Sequence, residues 1–590
     1  MKMNEVFIVP NNVDHISENG GENGTLIIAR ACKEIGIEHV FGIVGVPITN
    51  VVVEMQRLGM PFYGFRNEQA SGYAASVVGY LTRRPAICFT VSGPGMIHAI
   101  SGPMNAMANC WPMILMSSST GINDVERGGF QETPQLEAAQ LYCKRCYTVN
   151  SIEAFPSILL SAVKESISGR PGPVYIQIPS NVMTSNSTCA IKQLTPLAEF
   201  EVGAGTITTA PRNKITSALS LLLGASNPLV VGGKGAAYAR CEDQLRKFIT
   251  TANIPFLPSP MGKGLVPDND EHVVSSARSI ALKKADVVLV IGARLNWMFS
   301  FGQAPTFNEH VKFIVIDVDA EQVGKNIDPA NLVGLVGDAN QVLTEMNELL
   351  VAQPALLSAR NTHIDAWWSE LRVKIAENSK SLQAQLAQPQ TPGEYLTYHQ
   401  VFNVIRDHLP HNAVVVNEGA NTMDIGRVCI NHNEPRSRLD SGTLATMGVG
   451  IGYAIAAHGV YQGERPIICI QGDSAFGFSG MEIELACRFR MPILFIIINN
   501  NGIYEGLEST PDEGFCPKTM PPTALSPKTH YETIIHAFGG EGHGVSTISE
   551  LQSTVSSTLA KIKNNTLTMP VLLNVFIKPS GTTPKILTKH

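Results

Sequence analysis

The chain has 590 residues, too many for one hydrophobic core, so three or four domains are expected. Hydrophobic residues make up 44% and charged residues 16%, which excludes a disordered chain and favours parallel sheets and a large oligomer interface. A net charge of −6 without a basic tract or arm argues against a nucleic-acid partner but leaves room for a local basic pocket. No run approaches the ~20 apolar residues of a membrane span.

The first 21 residues read as a polar leader, with an apolar stretch too short for a signal peptide. An α/β segment follows over 22–185. In it, FYGFRNEQASGYAASVVGYLTRRPAICFTVSGPG (62–95) sets Glu68 at the start of a small-residue helix, followed by a strand and a glycine-rich turn. A carboxylate there is poorly hydrated and able to share a proton with a ligand; an ordinary charge at a helix N-terminus is the alternative. Cys143 and Cys146 form the one CxxC pair among eleven scattered cysteines, with no second pair or histidine cluster. Reduced thiols in a soluble, intracellular and cytoplasmic protein are therefore expected, rather than a metal centre. The segment closes in GRPGPVYIQIPSNVM, and a threonine-rich linker is expected over 186–207.

A second α/β segment, 207–345, opens near NPLVVGGKGAAYA and contains the strands ADVVLVIGARL and KFIVIDVDA. A connector rich in glutamine, about 376–394, leads to the third segment, 391–575, and a tail of 576–590. There NEGANTMDIGR (417–427) and DSGTLATMGVGIGYAIAA (440–457) read as loops opening glycine- and alanine-rich helices. IQGDSAFGFSGMEIELACRFRMPILFIIINNNGIY (470–504) reads as strand, helix, strand. Met481, Leu485 and Phe489 recur every four residues on the helix. So short a unit implies a right-handed crossover between parallel strands, which places Asp473 and Asn499–Asn501 at carboxyl ends of the sheet, where such folds bind ligands. A carboxylate, an asparagine oxygen and a backbone carbonyl suit magnesium. The glycines and the following helix start suit a diphosphate. An N-cap aspartate and a turn of asparagines are the competing reading.

In this order the motifs resemble those of thiamine-diphosphate enzymes of the acetolactate synthase and pyruvate decarboxylase superfamily. The GD…NN pattern is the superfamily's signature. GKGAAYA, PMGKGL, GARLNW, EGANTMDIGR and GDSAFGFSGMEIE are most similar to the branch of 2-hydroxyacyl-CoA lyase and oxalyl-CoA decarboxylase, over about 22–580. The resemblance implies an α/β fold of three doubly wound parallel-sheet domains: pyrimidine-binding, central nucleotide-type and diphosphate-binding. It implies that Asp473, Asn500 and the carbonyl of Gly502 bind Mg2+, and that Ser474 and the amides near Ile503 and Tyr504 hold the diphosphate, with Ala420 and Asn421 nearby. Glu68 would hydrogen-bond the pyrimidine ring, the Ala445 carbonyl would accept from its amine, and Met447 would bend the cofactor. Asn499 and Asn501 are left as turn residues.

The same resemblance implies at least a homodimer, often a homotetramer, and a central domain able to bind ADP. Arg170, Lys234, Arg294 and Asp317 are the ADP candidates, with surface or salt-bridging charges as the alternative. The small-molecule substrate would be an acyl-CoA, with Arg436 and Arg438 of PRSRLD as CoA phosphate candidates. Gln131, in VERGGFQETPQLEA (125–138), follows Phe130 where bacterial oxalyl-CoA decarboxylases carry tyrosine and glutamate. That favours a lyase making formyl-CoA and a shortened aldehyde over a decarboxylase making formyl-CoA and carbon dioxide. An acetolactate synthase-like enzyme is a weaker reading because the acyl-CoA branch motifs recur across all three segments, and a non-catalytic homologue is weaker because Glu68, Asp473 and Asn500 are all present. A peroxisomal location follows from the family, yet ILTKH does not match a typical peroxisomal ending.

Overall fold

The computed structural model describes residues 22–187, 196, 209–358, 362–507, 518 and 520–579. Among these, the chain divides into two compact units: one of the residues up to 204 with Ile455–Val460, the other of the remainder.

In the first unit a short antiparallel pair, β1 (Glu22–Asn23) with β8 (Asn186–Ser187), joins the ends of the segment. Between them lie β2 (Val40–Gly42), β3 (Phe62–Gly64), β4 (Ile87–Thr90), β5 (Met113–Ser119), β6 (Arg145–Thr148) and β7 (Pro173–Pro179). They form one parallel sheet in the order β3-β2-β4-β5-β7-β6. Chain order reverses between β2 and β4, which makes that edge the switch point where a ligand can enter. The helix Glu68–Thr82 is capped by Asn67, whose side chain accepts from the Gln69 N–H at 2.8 Å. Its small residues let the helix Ser101–Asn109 approach closely: a Cβ on Gly102 would stand 2.5 Å from the Gly72 Cα.

The second unit holds two sheets. The central one comprises β9 (Pro228–Gly232), β10 (Phe256–Pro258), β11 (Val287–Ile291), β12 (Lys312–Asp317) and β13 (Leu332–Val336), ordered β10-β9-β11-β12-β13. The third comprises β14 (Val414–Glu418), β15 (Arg438–Asp440), β16 (Ile467–Gly472), β17 (Ile493–Asn499), β18 (Glu541–Val545) and β19 (Val571–Phe576), ordered β15-β14-β16-β17-β19-β18. Every pairing in both is parallel. Their strands are near-continuous runs of Val, Ile and Leu, buried on both faces as helix-covered parallel strands must be. Switch points fall between β9 and β11 and between β14 and β16.

The expected linker 186–207 lies outside the described residues except for Asn186–Ser187 and residue 196. Two local expectations change. The connector is not loop from 376: a helix runs from Ile364 to Leu386. No Pro or Gly interrupts 364–388, and Trp367, Trp368 and Leu371 anchor the helix in the central core. The crossover after β16 begins with a short helical turn, Asp473–Phe476, and enters the α-helix Ile483–Arg488 through a 3₁₀ turn, Gly480–Glu482. The turn rotates Met481 outward to 57% exposure, and Glu482, Ile483, Leu485 and Ala486 form the buried face instead.

Candidate active site

At the switch point of the first sheet, the turn after β4 is the organising element. The Glu68 carboxylate stands beside it: a Cβ on Gly95 would lie 3.5 Å from Oε1. Glu68 Oε2 is 2.9 Å from His98 Nδ1, a partner contributed by the helix that the turn opens. Gln131, in the left-handed region with φ 55°, meets the same turn, its Oε1 accepting from Ser92 Oγ at 3.2 Å. The Gly93 N–H is fixed by Gln135 Oε1 at 2.8 Å, and Gln135 Nε2 is held by Ser118 O and the Tyr175 hydroxyl. Glu132 orders the loop from within, accepting from the N–H groups of Glu126, Gly128 and Gly129. Glu68 and Gln131 are thus brought to one turn. The roles of His98 and Gln135 were missed, although both lie within quoted or adjoining motifs.

In the second unit β16 and β17 are neighbours, with Gly472 opposite Ile498, so the crossover sets Asp473 and Asn500 at adjacent strand ends. Asp473 is 2% exposed. Its Oδ1 accepts from the Ser474 N–H at 2.8 Å and its Oδ2 from the Gly502 N–H at 3.0 Å. Burial pushes this carboxyl up to about 7, although those N–H groups pull the other way. Such a group gains from a cation. Asn500 commits its Nδ2 to Tyr504 O at 3.1 Å, so Oδ1 is the atom it has for a metal. Asn421, from the helix Ala420–Cys429, donates to the same carbonyl at 2.9 Å. Gly506, with φ 79°, closes the cradle, since a Cβ there would stand 2.4 Å from Asn500 O. One carboxylate with amide and backbone oxygens is a hard-donor set of the kind magnesium takes. Among the described residues no cluster of three His, Cys, Asp or Glu could hold a metal otherwise.

The flanking asparagines do more than turn the chain. Asn499 Nδ2 donates to Thr529 O and Asn574 Oδ1, and Asn501 Oδ1 accepts from the Lys528 N–H at 2.7 Å, so the pair braces the returning segment. One expectation fails here. The Ile503 N–H is taken by Thr523 O at 2.8 Å, so it is committed to the fold instead of to a diphosphate.

The segment between β15 and the helix Gly450–Tyr461 carries Ala445, left-handed at φ 52°, and the half-buried Met447. The central domain grips its start: Lys234 Nζ and Arg294 donate to Thr443 Oγ1 at 2.6 and 3.0 Å, and Trp297 Nε1 donates to Thr443 O at 2.9 Å. Lys234 and Arg294 follow β9 and β11 at the central switch point and line one cleft with Gly233, Gly292, Gly442 and Thr443. Asp317 ends the next strand, its Oδ1 accepting from the Asp319 N–H at 3.0 Å. Arg170 belongs to the first unit, where its Nε donates to Cys110 Sγ.

The two arginines expected to meet CoA have other work. Arg438 is 1% exposed and satisfied by Asp440, Asn417 and Met423 O. Arg436 pairs with Glu242 at 2.8 Å and donates to Ala237 O, which ties the central domain to the third sheet. The sealed Arg438 guanidinium is structural, the half-buried Arg436 is committed to its ion pair and to Ala237 O, and the CoA assignment is withdrawn for both.

Three family models match the chain: the thiamine pyrophosphate enzyme N-terminal TPP binding domain over 22–139, the central domain over 215–346 and the C-terminal TPP binding domain over 418–575. The chain is 50% identical to 2-hydroxyacyl-CoA lyase 1 of Dictyostelium discoideum, covering 96% of this chain and 100% of that one. It is 42% identical to 2-hydroxyacyl-CoA lyase 1 of Homo sapiens, covering 95% of each, and 37% identical to oxalyl-CoA decarboxylase of Escherichia coli K12, covering 96% and 97%. With thiamine-diphosphate domains matched in order and full-length relatives at this identity, the chain belongs to the 2-hydroxyacyl-CoA lyase and oxalyl-CoA decarboxylase family of thiamine-diphosphate enzymes.

Proposed function

We propose that the chain cleaves a 2-hydroxyacyl-CoA into formyl-CoA and an aldehyde one carbon shorter. The observation that carries this is the 50% identity, end to end, with a protein named 2-hydroxyacyl-CoA lyase. The bond broken joins the thioester carbon to the hydroxyl-bearing carbon. The hydroxyl loses its proton as the aldehyde forms, and the thioester carbon takes one up. Thiamine diphosphate supplies the carbon nucleophile and electron sink for such a cleavage. Glu68, with His98 on its second oxygen, would hydrogen-bond the pyrimidine ring from beside the turn after β4. Asp473, Asn500 and the Gly502 carbonyl would hold Mg2+, whose charge would offset that of the diphosphate, with Ser474, Ala420, Asn421 and Tyr504 around them. Ala445 and Met447 would meet the ring portion of the cofactor. Gln131 offers a neutral amide to the departing group.

A second reading, oxalyl-CoA decarboxylase, has the 37% identical Escherichia coli relative in its favour. Purified protein with Mg2+ and thiamine diphosphate, given oxalyl-CoA and a long-chain 2-hydroxyacyl-CoA in parallel, separates the two. Aldehyde and formyl-CoA from the hydroxyacyl substrate are expected; carbon dioxide from oxalyl-CoA alone would overturn the lyase.

Further assignments accompany this reading. ADP is proposed for the central domain, on Lys234, Arg294 and Asp317 and without Arg170, which belongs to the first unit, and calorimetric titration of ADP into wild type and Lys234→Ala tests it. A homodimer or homotetramer is proposed because Val46, Phe130 and Leu141 of the first unit are strongly exposed apolar side chains, and sedimentation reads the assembly. An intracellular location is proposed because the nine described cysteines are all free thiols. Imaging a fluorescent fusion distinguishes cytoplasm from peroxisome. Among the described residues no helix is long and apolar enough to cross a membrane.

A further inference from the structure

A carboxylate with no part in the chemistry above stands at the switch point of the third sheet. Glu418 ends β14, is fully buried, and is register partner to Gln471 on β16. Its Oε1 accepts from the N–H groups of Gly448 and, at 3.2 Å, Val449. Its Oε2 accepts from the Gly450 N–H at 2.7 Å and from Gln471 Nε2 at 2.6 Å. Three consecutive backbone amides on one carboxylate fix both the position and the tilt of the segment they belong to. No side chain fits at Gly450, where a Cβ would stand 2.6 Å from Glu418 Oε2 and 2.5 Å from Gln471 Nε2.

These amides close a strap, 442–450. Its opening end is fixed by the Gly442 N–H on Asp440 Oδ1 at 3.0 Å and by the Lys234, Arg294 and Trp297 bonds to Thr443. Ala445 and Met447 lie between the two anchorages. A helix start needs only a short local cap, Ser, Thr, Asp or Asn, to satisfy its amides. Reaching in from another strand with a buried glutamate is a costly way to reach the same end. What the distant carboxylate adds is a tie between the strap and the strand ends that flank the metal-binding motif.

We propose that Glu418 is a positioning residue for the reaction, setting the strap so that the Ala445 carbonyl and Met447 are presented to the cofactor. The proposal rests on the reading of this site as the thiamine-diphosphate site. It is tested on the full-length protein with Mg2+, by calorimetric titration of thiamine diphosphate and by steady-state kinetics. The variants are Glu418→Gln, Gln471→Met, Met447→Ala and the Glu418→Gln/Met447→Ala double. Glu418→Gln turns an amide nitrogen toward N–H donors. It is expected to weaken cofactor binding at least tenfold and to lower cofactor-saturated kcat at least tenfold, with acyl-CoA KM within threefold of wild type. Gln471→Met, which removes one of the four bonds, is expected to move the same two quantities three- to tenfold. It decides the matter if Glu418→Gln does not fold. The double variant is expected within threefold of the worse single, because both act through the strap. A lower thermal midpoint with unchanged cofactor affinity and kcat would overturn the proposal, as would multiplicative losses in the double. If wild type takes up no thiamine diphosphate, the site reading itself falls and the proposal with it.

Discussion

Glu418 and Asp473 have carboxyl groups raised to about 7, mainly by burial. An unfolded glutamate loses its proton near its ordinary value of 4.5, whereas folded Glu418 keeps its proton to about 7. Between those limits the native state binds more protons than the unfolded one, so stability falls as pH rises. The penalty is absent below about pH 4.5 and complete above about 7, where a shift of this size is worth on the order of 3 kcal/mol. Asp473 runs in the same direction. The half-buried His458 imidazole, pushed down to about 4 by desolvation, works oppositely between there and 6.5, its stability arriving as pH rises. The difference between variants therefore isolates Glu418 better than the raw curve does. Cofactor-free wild type is expected to lose more thermal midpoint between pH 5 and 8 than Glu418→Gln, followed by circular dichroism. Parallel curves would mean that Glu418 does not titrate in this range. Of these two acids only Asp473 was legible in the sequence, since its glycine-flanked motif is distinctive. Glu418 lies inside EGANTMDIGR without a local signal of its own, because its value comes from Gly448, Val449 and Gly450, some thirty residues away.

At the scale of elements, alternating apolar runs and helix starts made the parallel strands readable, and β16 and β17 fell where the crossover put them. Two errors share a cause. Periodicity gave Met481 a buried place that the 3₁₀ turn denies it, and composition read 376–386 as connector when the Trp367 and Trp368 anchors extend a helix through it. Tertiary contacts decided both. The indole N–H groups of those tryptophans reach Pro228 O at 3.1 Å and Asn253 O at 3.0 Å, so this helix staples the central sheet from outside the residues expected to form its domain. Close helix packing carries the clearest stability prediction. Gly102→Val would push a Cβ against the Gly72 backbone at 2.5 Å, on the helix that presents Glu68. Overpacking of this kind typically costs about 1–3 kcal/mol. A fall of several degrees in thermal midpoint is expected, and Gly102→Ala should show a smaller fall. An unchanged midpoint in the valine variant would mean that the helices part without cost.

For the molecule as a whole, each of the three sheets has a switch point next to its first edge pair, at β2/β4, β9/β11 and β14/β16, and each gathers polar groups at the carboxyl ends of its strands. Glu68 and Gln131 meet at the first, Lys234 and Arg294 at the second, and Glu418 and Asp473 at the third. At the third, ligand binding and stability are linked through Glu418 and Asp473, whose burial disfavours charge. At neutral pH a buried Asp473 without a cation is held by N–H groups alone, and a divalent ion supplies the missing opposite charge. Anything that binds the native state and not the unfolded one stabilises it by mass action, by about 2.7 kcal/mol at a hundredfold excess over Kd. Chelation of the purified protein followed by gel filtration is expected to abolish activity and to lower the thermal midpoint. Thiamine diphosphate alone should restore little of either, because its diphosphate then meets an uncompensated carboxylate. Mg2+ and thiamine diphosphate together should restore both. Asp473→Asn should lower activity at least a hundredfold and remove the Mg2+-dependent part of the midpoint shift, while leaving the chelated protein no less stable than wild type. Full recovery by thiamine diphosphate in the continued presence of chelator would show that Asp473, Asn500 and Gly502 do not hold a metal.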